Sequence, residues 1–189
     1  RQSSSWFSKD RLAGLAAGLA ASLLLFGFVH YSWRYDAHVP DAGNVHVVKH
    51  RANIDPTAPW YELAPLMLWG TALKTPGIVA ATGYLPSRPN GGGLAARIDG
   101  QLKHVNSLTV LPGFAAMLGL QAVRGNLQAA LDQPDSFAIS EEAAIRMFGS
   151  ADIVGRTLQV DGKLVRAGAV LRTPPANTTI PFEVLVGVN

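Results

Sequence analysis

Between Arg11 and Arg34 the chain runs 22 residues, LAGLAAGLAASLLLFGFVHYSW, without a Lys, Arg, Asp or Glu. At 1.5 Å per residue a helix over residues 12–33 reaches about 33 Å, enough to cross a hydrocarbon core of about 30 Å. Inside that core every backbone N–H and C=O has to be satisfied within the segment, which a helix does and an open strand does not. Trp6 and Phe7 precede the run, and Tyr31, Trp33 and Tyr35 close it, so aromatic rings stand where the two membrane–water interfaces would be. A cleaved leader requires a small-x-small site after its apolar run, and GFVHYSW offers none. The run predicts an uncleaved transmembrane helix.

Charge is distributed to match. The chain has 16 Lys and Arg against 13 Asp and Glu, net +3, with a pI near 9.5. Through Arg34 there are four cations (Arg1, Lys9, Arg11, Arg34) against Asp10, which already gives +3; from Tyr35 onward 12 cations meet 12 anions. The basic balance therefore belongs to the ends of the apolar helix and not to a nucleic-acid surface. Three of the four cations precede the helix, which keeps residues 1–11 in the cytoplasm and exports the remainder. Gly14 and Gly18 form a G-x-x-x-G pair, with Ser22 continuing the small face, a candidate surface for close approach of another helix. His30, at the interfacial end, reads as solvated.

No second stretch is long enough to span a membrane. From residue 35 to 189 the pattern predicts one compact α+β domain, of mixed α/β content with β-hairpins. Expected elements are a strand over 45–48, a buried helix over 64–75 entered at Pro65, a strand over 77–84, and a flexible loop over 87–93. A hairpin turning at Asp99-Gly100, a strand over 108–111 and a short helix over 112–118 stopped at Gly119 follow. In FAISEEAAIRMFGSADIVGRTLQVDG (137–162), a strand over 137–139 leads into a helix with Ser140 as N-cap and Glu141 and Glu142 on the positive end of its dipole. Gly149 closes that helix. Ala143, Ala144, Met147 and Phe148 face the core, with Arg146 opposite, so Phe148→Ala is expected to cost about 3–5 kcal/mol. Strands over 157–160 and 163–171 pair across Asp161-Gly162.

Catalytic chemistry finds little footing. With no cysteine, disulfides and thiolate metal sites are excluded. His46 and His50 lie on a β-branched stretch, where four residues span about 13 Å, too far to share one zinc ion. Gly91-x-Gly93-x-x-Ala96 follows prolines instead of a strand and lacks the acidic partner of a dinucleotide site. There is no phosphate-binding G-x-x-x-x-G-K-[ST] loop, so ATP-driven work requires another subunit and no cofactor is expected in this chain. Ser140 lacks a nucleophile elbow and no His follows it. The Glu141-Glu142 pair is explained by the dipole. Asn177-Thr178-Thr179 is a formal glycosylation sequon.

Three segments in order, LPGFAAMLGLQAVRGN (111–126), the 137–162 segment and VRAGAVLRTPPANTTIPFEVLVG (165–187), resemble the MacB-like periplasmic core domain of ABC transporter permeases of the FtsX-like type. The matching positions are Pro112, Phe114, Gly119, Leu120, Gly125, Ser140, Glu141, Ala144, Phe148, Gly149, Gly155, Asp161, Gly162, Pro175, Asn177, Pro181, Phe182 and Leu185. The front also fits: an apolar helix followed by YDAHVPDAGNVHVVKH is similar to the family's "fDxfxPdaxriyrvv".

The resemblance implies a non-catalytic membrane subunit, working with a cytoplasmic ATP-binding subunit and a second permease subunit in the lipid bilayer. Its periplasmic domain would relay conformational change across the inner membrane, in export or in mechanotransmission. Members carry at least four spanning helices, so a chain with one, beginning at Arg1, is expected to be an excerpt of a longer permease. The short stretch between Tyr84 and Leu108 implies a reduced second lobe. The alternative from another class is a single-pass anchored binding or scaffold protein with no ATPase partner.

Overall fold

A computed structural model describes residues 4–51, 57–61, 64–87, 94–98, 100–160 and 162–188. It divides into two units, Arg1–Ala37 with Asn177–Thr179, and His38–Ala176 with Ile180–Asn189.

The first unit is built on helix α1, Ser4–Trp33. Its Arg11–Trp33 portion is long and apolar enough to cross a membrane, and none of it is buried within the chain, as a lipid-facing helix requires. The candidate packing residues Gly14 and Gly18 sit one turn apart with open space where a side chain would be, and the Ser22 hydroxyl folds back to donate to the Gly18 carbonyl at 2.9 Å.

The second unit is a mixed α/β fold. Among the described residues its strands are β1 Tyr84–Pro86, β2 Leu94–Ile98, β3 Gln101–Val105, β4 Ser107–Val110, β5 Ala122–Gly125, β6 Ser136–Ser140, β7 Thr157–Val160, β8 Lys163–Leu171 and β9 Val184–Gly187. They join in one sheet ordered β1-β4-β9-β6-β8-β7-β2-β3, with β5 also pairing β8. The accompanying α-helices are α2 Met67–Ala72, α3 Phe114–Met117, α4 Leu127–Asp132 and α5 Glu141–Phe148. Strand β6 is buried along its whole length between parallel β8 and antiparallel β9.

Alternation along β6 sorts two cores. Phe137 and Ile139 point to one face, where Ala143, Ala144 and Met147 of α5 close over them, while Ala138 points to the other, among Phe114, Leu131, Leu171 and Phe182. On β8 this alternation is broken: Phe137 pairs with Ala167 but Ala138 pairs with Ala169. Gly168 is the extra residue of a bulge. The bulge lets Ala167 serve the first core and both Ala169 and Leu171 serve the second. One edge of β8 is thereby shared, with β7 pairing its first half and β5 its second.

Both hairpins form as the turn chemistry predicts. Ile98 pairs with Gln101 and Val160 with Lys163, with Gly100 and Gly162 at φ 80° and 81°. The partner turn residues Asp99 and Asp161 lie outside the described residues, as do positions 88–93 of the expected loop, Gly91 and Gly93 among them.

Three expectations are corrected. Residues 45–48 form no strand; the nearest pairing is an isolated bridge between His50 and Tyr61, so the β-branched run has no sheet edge to join. The helix expected over 64–75 is confined to Met67–Ala72 and buries none of its residues. The strand expected over 77–84 shrinks to Tyr84–Pro86, because β4 supplies only the register Tyr84↔Val110 to Pro86↔Leu108.

Candidate coupling site

Helix α1 ends in a left-handed turn instead of a glycine. The Arg34 N–H still reaches the carbonyls of His30 and Tyr31, and Tyr35 that of Ser32, each at 3.3 Å, before Asp36 adopts φ 54°. A left-handed conformation is disfavoured for a residue with a Cβ, though Asp tolerates it better than most. Here three residues from far along the chain hold it. The Asn177 side-chain amide donates to the Arg34 carbonyl at 2.6 Å, satisfying one of the carbonyls that a helix end leaves without a partner. The Asp36 N–H donates to the Asn177 carbonyl at 3.0 Å.

The carboxylate of Asp36 completes the joint. Its Oδ1 accepts from the Thr178 hydroxyl at 3.0 Å and from the Thr179 N–H at 2.8 Å, and its Oδ2 accepts from the Thr179 hydroxyl. Hydrogen bonds to a charged acceptor are the stronger class, and several on one carboxylate fix its position as well as its energy. Thr178 is buried. Five hydrogen bonds therefore join residues 34–36 to 177–179. The carboxylate and both hydroxyls are engaged with one another across the two segments. What it can do is hold the end of a membrane helix to a second point of the chain.

Within the second unit, the motif residues serve the scaffold. Ser140 caps α5 by accepting from the Ala143 N–H at 3.3 Å, and the Glu142 N–H is met by the Thr173 hydroxyl at 3.0 Å. At the other end Gly149 is left-handed and its N–H returns to the Ile145 carbonyl at 2.8 Å, while the Lys103 ammonium donates to the Met147 carbonyl at 2.8 Å, a cation at the negative end of the dipole. Phe114 and Phe182 are core residues, and Phe148 is half-buried at the rim of the first core. Gly119 admits the ring of Pro40, which would lie 2.7 Å from a Cβ there. Gly155 donates to the Ala167 carbonyl at 2.8 Å, and Pro175 is exposed.

A second network ties α5 to the sheet. Glu183 accepts from Arg146 at 2.5 Å and from the Asn106 N–H at 2.9 Å, while the Asn106 side chain donates to the Pro181 carbonyl at 3.0 Å.

The joint is only partly legible in the sequence. Asn177 is a family-motif position, but the Asn177–Thr179 triplet reads alone as a sequon, and Asp36 stands out only as one letter of a longer motif. The signal that could have found them is local: an Asp three residues beyond an apolar helix, and an N-T-T triplet after a Pro-Pro pair.

The sequence profile of the MacB-like periplasmic core domain matches residues 12–187. No curated protein gives a significant match. Among solved structures, the chain is similar to a domain assigned to a permease protein from Porphyromonas gingivalis, at 25% identity over 62% of this chain and 50% of that one, with TM-score 0.53. It is also similar to the extracellular domain of the noncanonic ABC-type transporter YknZ from Gram-positive bacteria, at 15% identity over 65% of this chain and 61% of that one, TM-score 0.52. The periplasmic region of MacB from Actinobacillus actinomycetemcomitans gives 16% identity over 62% and 52%, TM-score 0.49. The chain thus spans between half and about three fifths of the solved chains it matches. With the profile covering nearly its whole length, the chain belongs to the MacB-like periplasmic core domain family, the domain borne by FtsX/MacB-like ABC permeases.

Proposed function

We propose that this chain forms the first helix and periplasmic domain of a permease subunit, which relays conformational change across the inner membrane in an ATP-driven exporter or mechanotransmission complex. ATP hydrolysis belongs to a separate cytoplasmic subunit, and a second permease subunit completes the membrane part. The N-terminus is cytoplasmic, in keeping with the three cations ahead of the apolar run.

The observation that carries this reading is the Asp36 joint. A passive anchor needs only a flexible tether after its helix. Here the residues after α1 are fastened by hydrogen bonds to Asn177–Thr179, so a displacement of α1 along or about its axis is passed to that segment without slack. The test is affinity isolation of the natural full-length protein from its own membranes, followed by ATPase assays on wild type and Asp36→Ala. An ATPase that co-purifies with both, and whose turnover responds to the permease in wild type only, supports the relay. Absence of any ATPase would leave an anchored scaffold protein and end the proposal.

A further inference from the structure

A six-residue helix with none of its residues buried needs a physical explanation. Helix α2 carries no charge, and among the described residues between 57 and 80 the single charged one is Lys74. Isolated helices shorter than about 12–15 residues are marginal in water, and tertiary packing normally supplies what propensity lacks. Here packing within the chain does not: Trp60 is 61% exposed, Leu66 64%, Met67 80% and Leu73 48%, and Val79 is fully exposed. One side chain is anchored inward, Trp69, whose indole N–H donates to the Ala81 carbonyl at 2.8 Å. A stretch that leaves so many large apolar groups in water marks a surface meant to be covered.

We infer that Trp60, Tyr61 and residues 64–79 lie in the outer face of the bilayer that α1 crosses, with α2 as a short interfacial element. The residue types suit a lipid interface better than a protein partner. The exposed indole of Trp60 has the Arg51 guanidinium 5.1 Å from its ring centroid, an aromatic ring and a cation of the sort that seats among phosphate headgroups. Lys74 follows α2 directly, on a stem long enough to keep its ammonium in the headgroups while Leu73 goes deeper. Over residues 49–74 the sequence is net one positive, Lys49, Arg51 and Lys74 against Asp55 and Glu62, which favours an anionic leaflet weakly and leaves apolar burial as the main term. The bilayer is also the apolar phase already tethered to this segment, since Trp60 follows Trp33 by 27 residues and a short tether raises effective concentration without any new contact. The inference needs α1 in the membrane and nothing else from the proposed relay.

The chain has no cysteine, so one introduced thiol is a unique label. Met67→Cys, Leu19→Cys in α1 and Leu164→Cys on β8 are each spin-labelled in the full chain, in vesicles of phosphatidylcholine and phosphatidylglycerol. Relaxation by oxygen, which partitions into lipid, is compared with relaxation by a water-soluble nickel chelate. The expected result is that Met67→Cys follows Leu19→Cys, relaxed more by oxygen, while Leu164→Cys is relaxed more by nickel. Val79→Cys repeats the measurement in case the label at position 67 disturbs α2. Nickel-dominated relaxation at 67 and 79 overturns the inference, as does protection from both reagents, which would mean that protein covers this face. A water-like Leu19→Cys would instead overturn the membrane anchor itself.

Discussion

Thr179 donates its backbone N–H to Oδ1 of Asp36 at 2.8 Å across 143 residues of chain. The contact is local in space and remote in sequence, and it sits at the one place where a membrane helix gives way to irregular backbone. Most of what can be tested about this protein follows from how much that joint and the sheet's packing are worth.

Asp36→Ala removes three acceptor contacts at once and leaves a left-handed residue held by its backbone bond to the Asn177 carbonyl. Net loss of hydrogen bonds to a charged group predicts a destabilisation of about 2–3 kcal/mol. Asp36→Asn keeps an acceptor oxygen and tolerates the left-handed region, so it should lose about half as much. Thermal unfolding of the full chain in lipid nanodiscs checks the order; no loss in either variant would show that the carboxylate is not the acceptor that matters.

Phe137 is 1% exposed at the centre of the first core, and Phe148 is half-buried at its rim. Phe137→Ala should cost about 3–5 kcal/mol. Phe148→Ala, with less area removed from water, should cost about 1–2 kcal/mol, below the value its helical register alone predicts. Urea unfolding midpoints of the two variants in parallel decide this, and a Phe148 loss as large as that of Phe137 would mean that the rim packs as tightly as the centre.

Two left-handed glycines separate backbone strain from collision. Gly149, at φ 75°, has nothing within 4 Å of where an added methyl would sit, whereas at Gly125, φ 77°, the methyl would overlap the Gly168 carbonyl at the β8 bulge. Gly149→Ala should cost about 1–2 kcal/mol from conformation alone. Gly125→Ala adds displacement of the bulge and should exceed it by at least ~1 kcal/mol. Circular dichroism melts that rank them the other way would remove the bulge from its role as a packing constraint.

At the α5 network, the Arg146 and Glu183 side chains are 48% and 32% exposed, so solvent screens their ion pair and Arg146→Ala should cost only about 0.5 kcal/mol. Glu183→Ala also strips the Asn106 N–H of its partner and should cost about 1–2 kcal/mol. Raising the salt concentration should narrow the first effect and leave most of the second.

How far the fold can be foreseen depends on whether its determinants are local. Ser140, Gly149 and the two Gly-bearing turns act over two to four residues, and each does in three dimensions what its chemistry requires. Residues 45–48 and 77–83 are β-branched and read as strands, but a strand exists only where an edge is free to receive it, and β4 receives just Tyr84–Pro86. The apolar character of α2 reads as burial, since sequence does not distinguish a side chain covered by protein from one covered by something else. The Asp36 joint is hidden for a different reason. Its members are ordinary polar residues whose pairing is set by the folded path of the intervening chain.

That path has an architectural consequence. Residues 34–36 and 177–179 meet, so residues 37–176 form a loop closed at that joint, after which the chain returns as β9 to pair with β4 and β6 inside the sheet. The entropy of closing such a circuit grows only as the logarithm of its length, by about 0.6 kcal/mol per doubling. The loop can therefore lengthen or shrink at small cost to the joint where its strands do not pair with β9, as at the β2–β3 hairpin at the far end of the sheet. Residues inserted in that hairpin would enlarge the sheet's far end and leave the hydrogen bonds of Asp36 as they are.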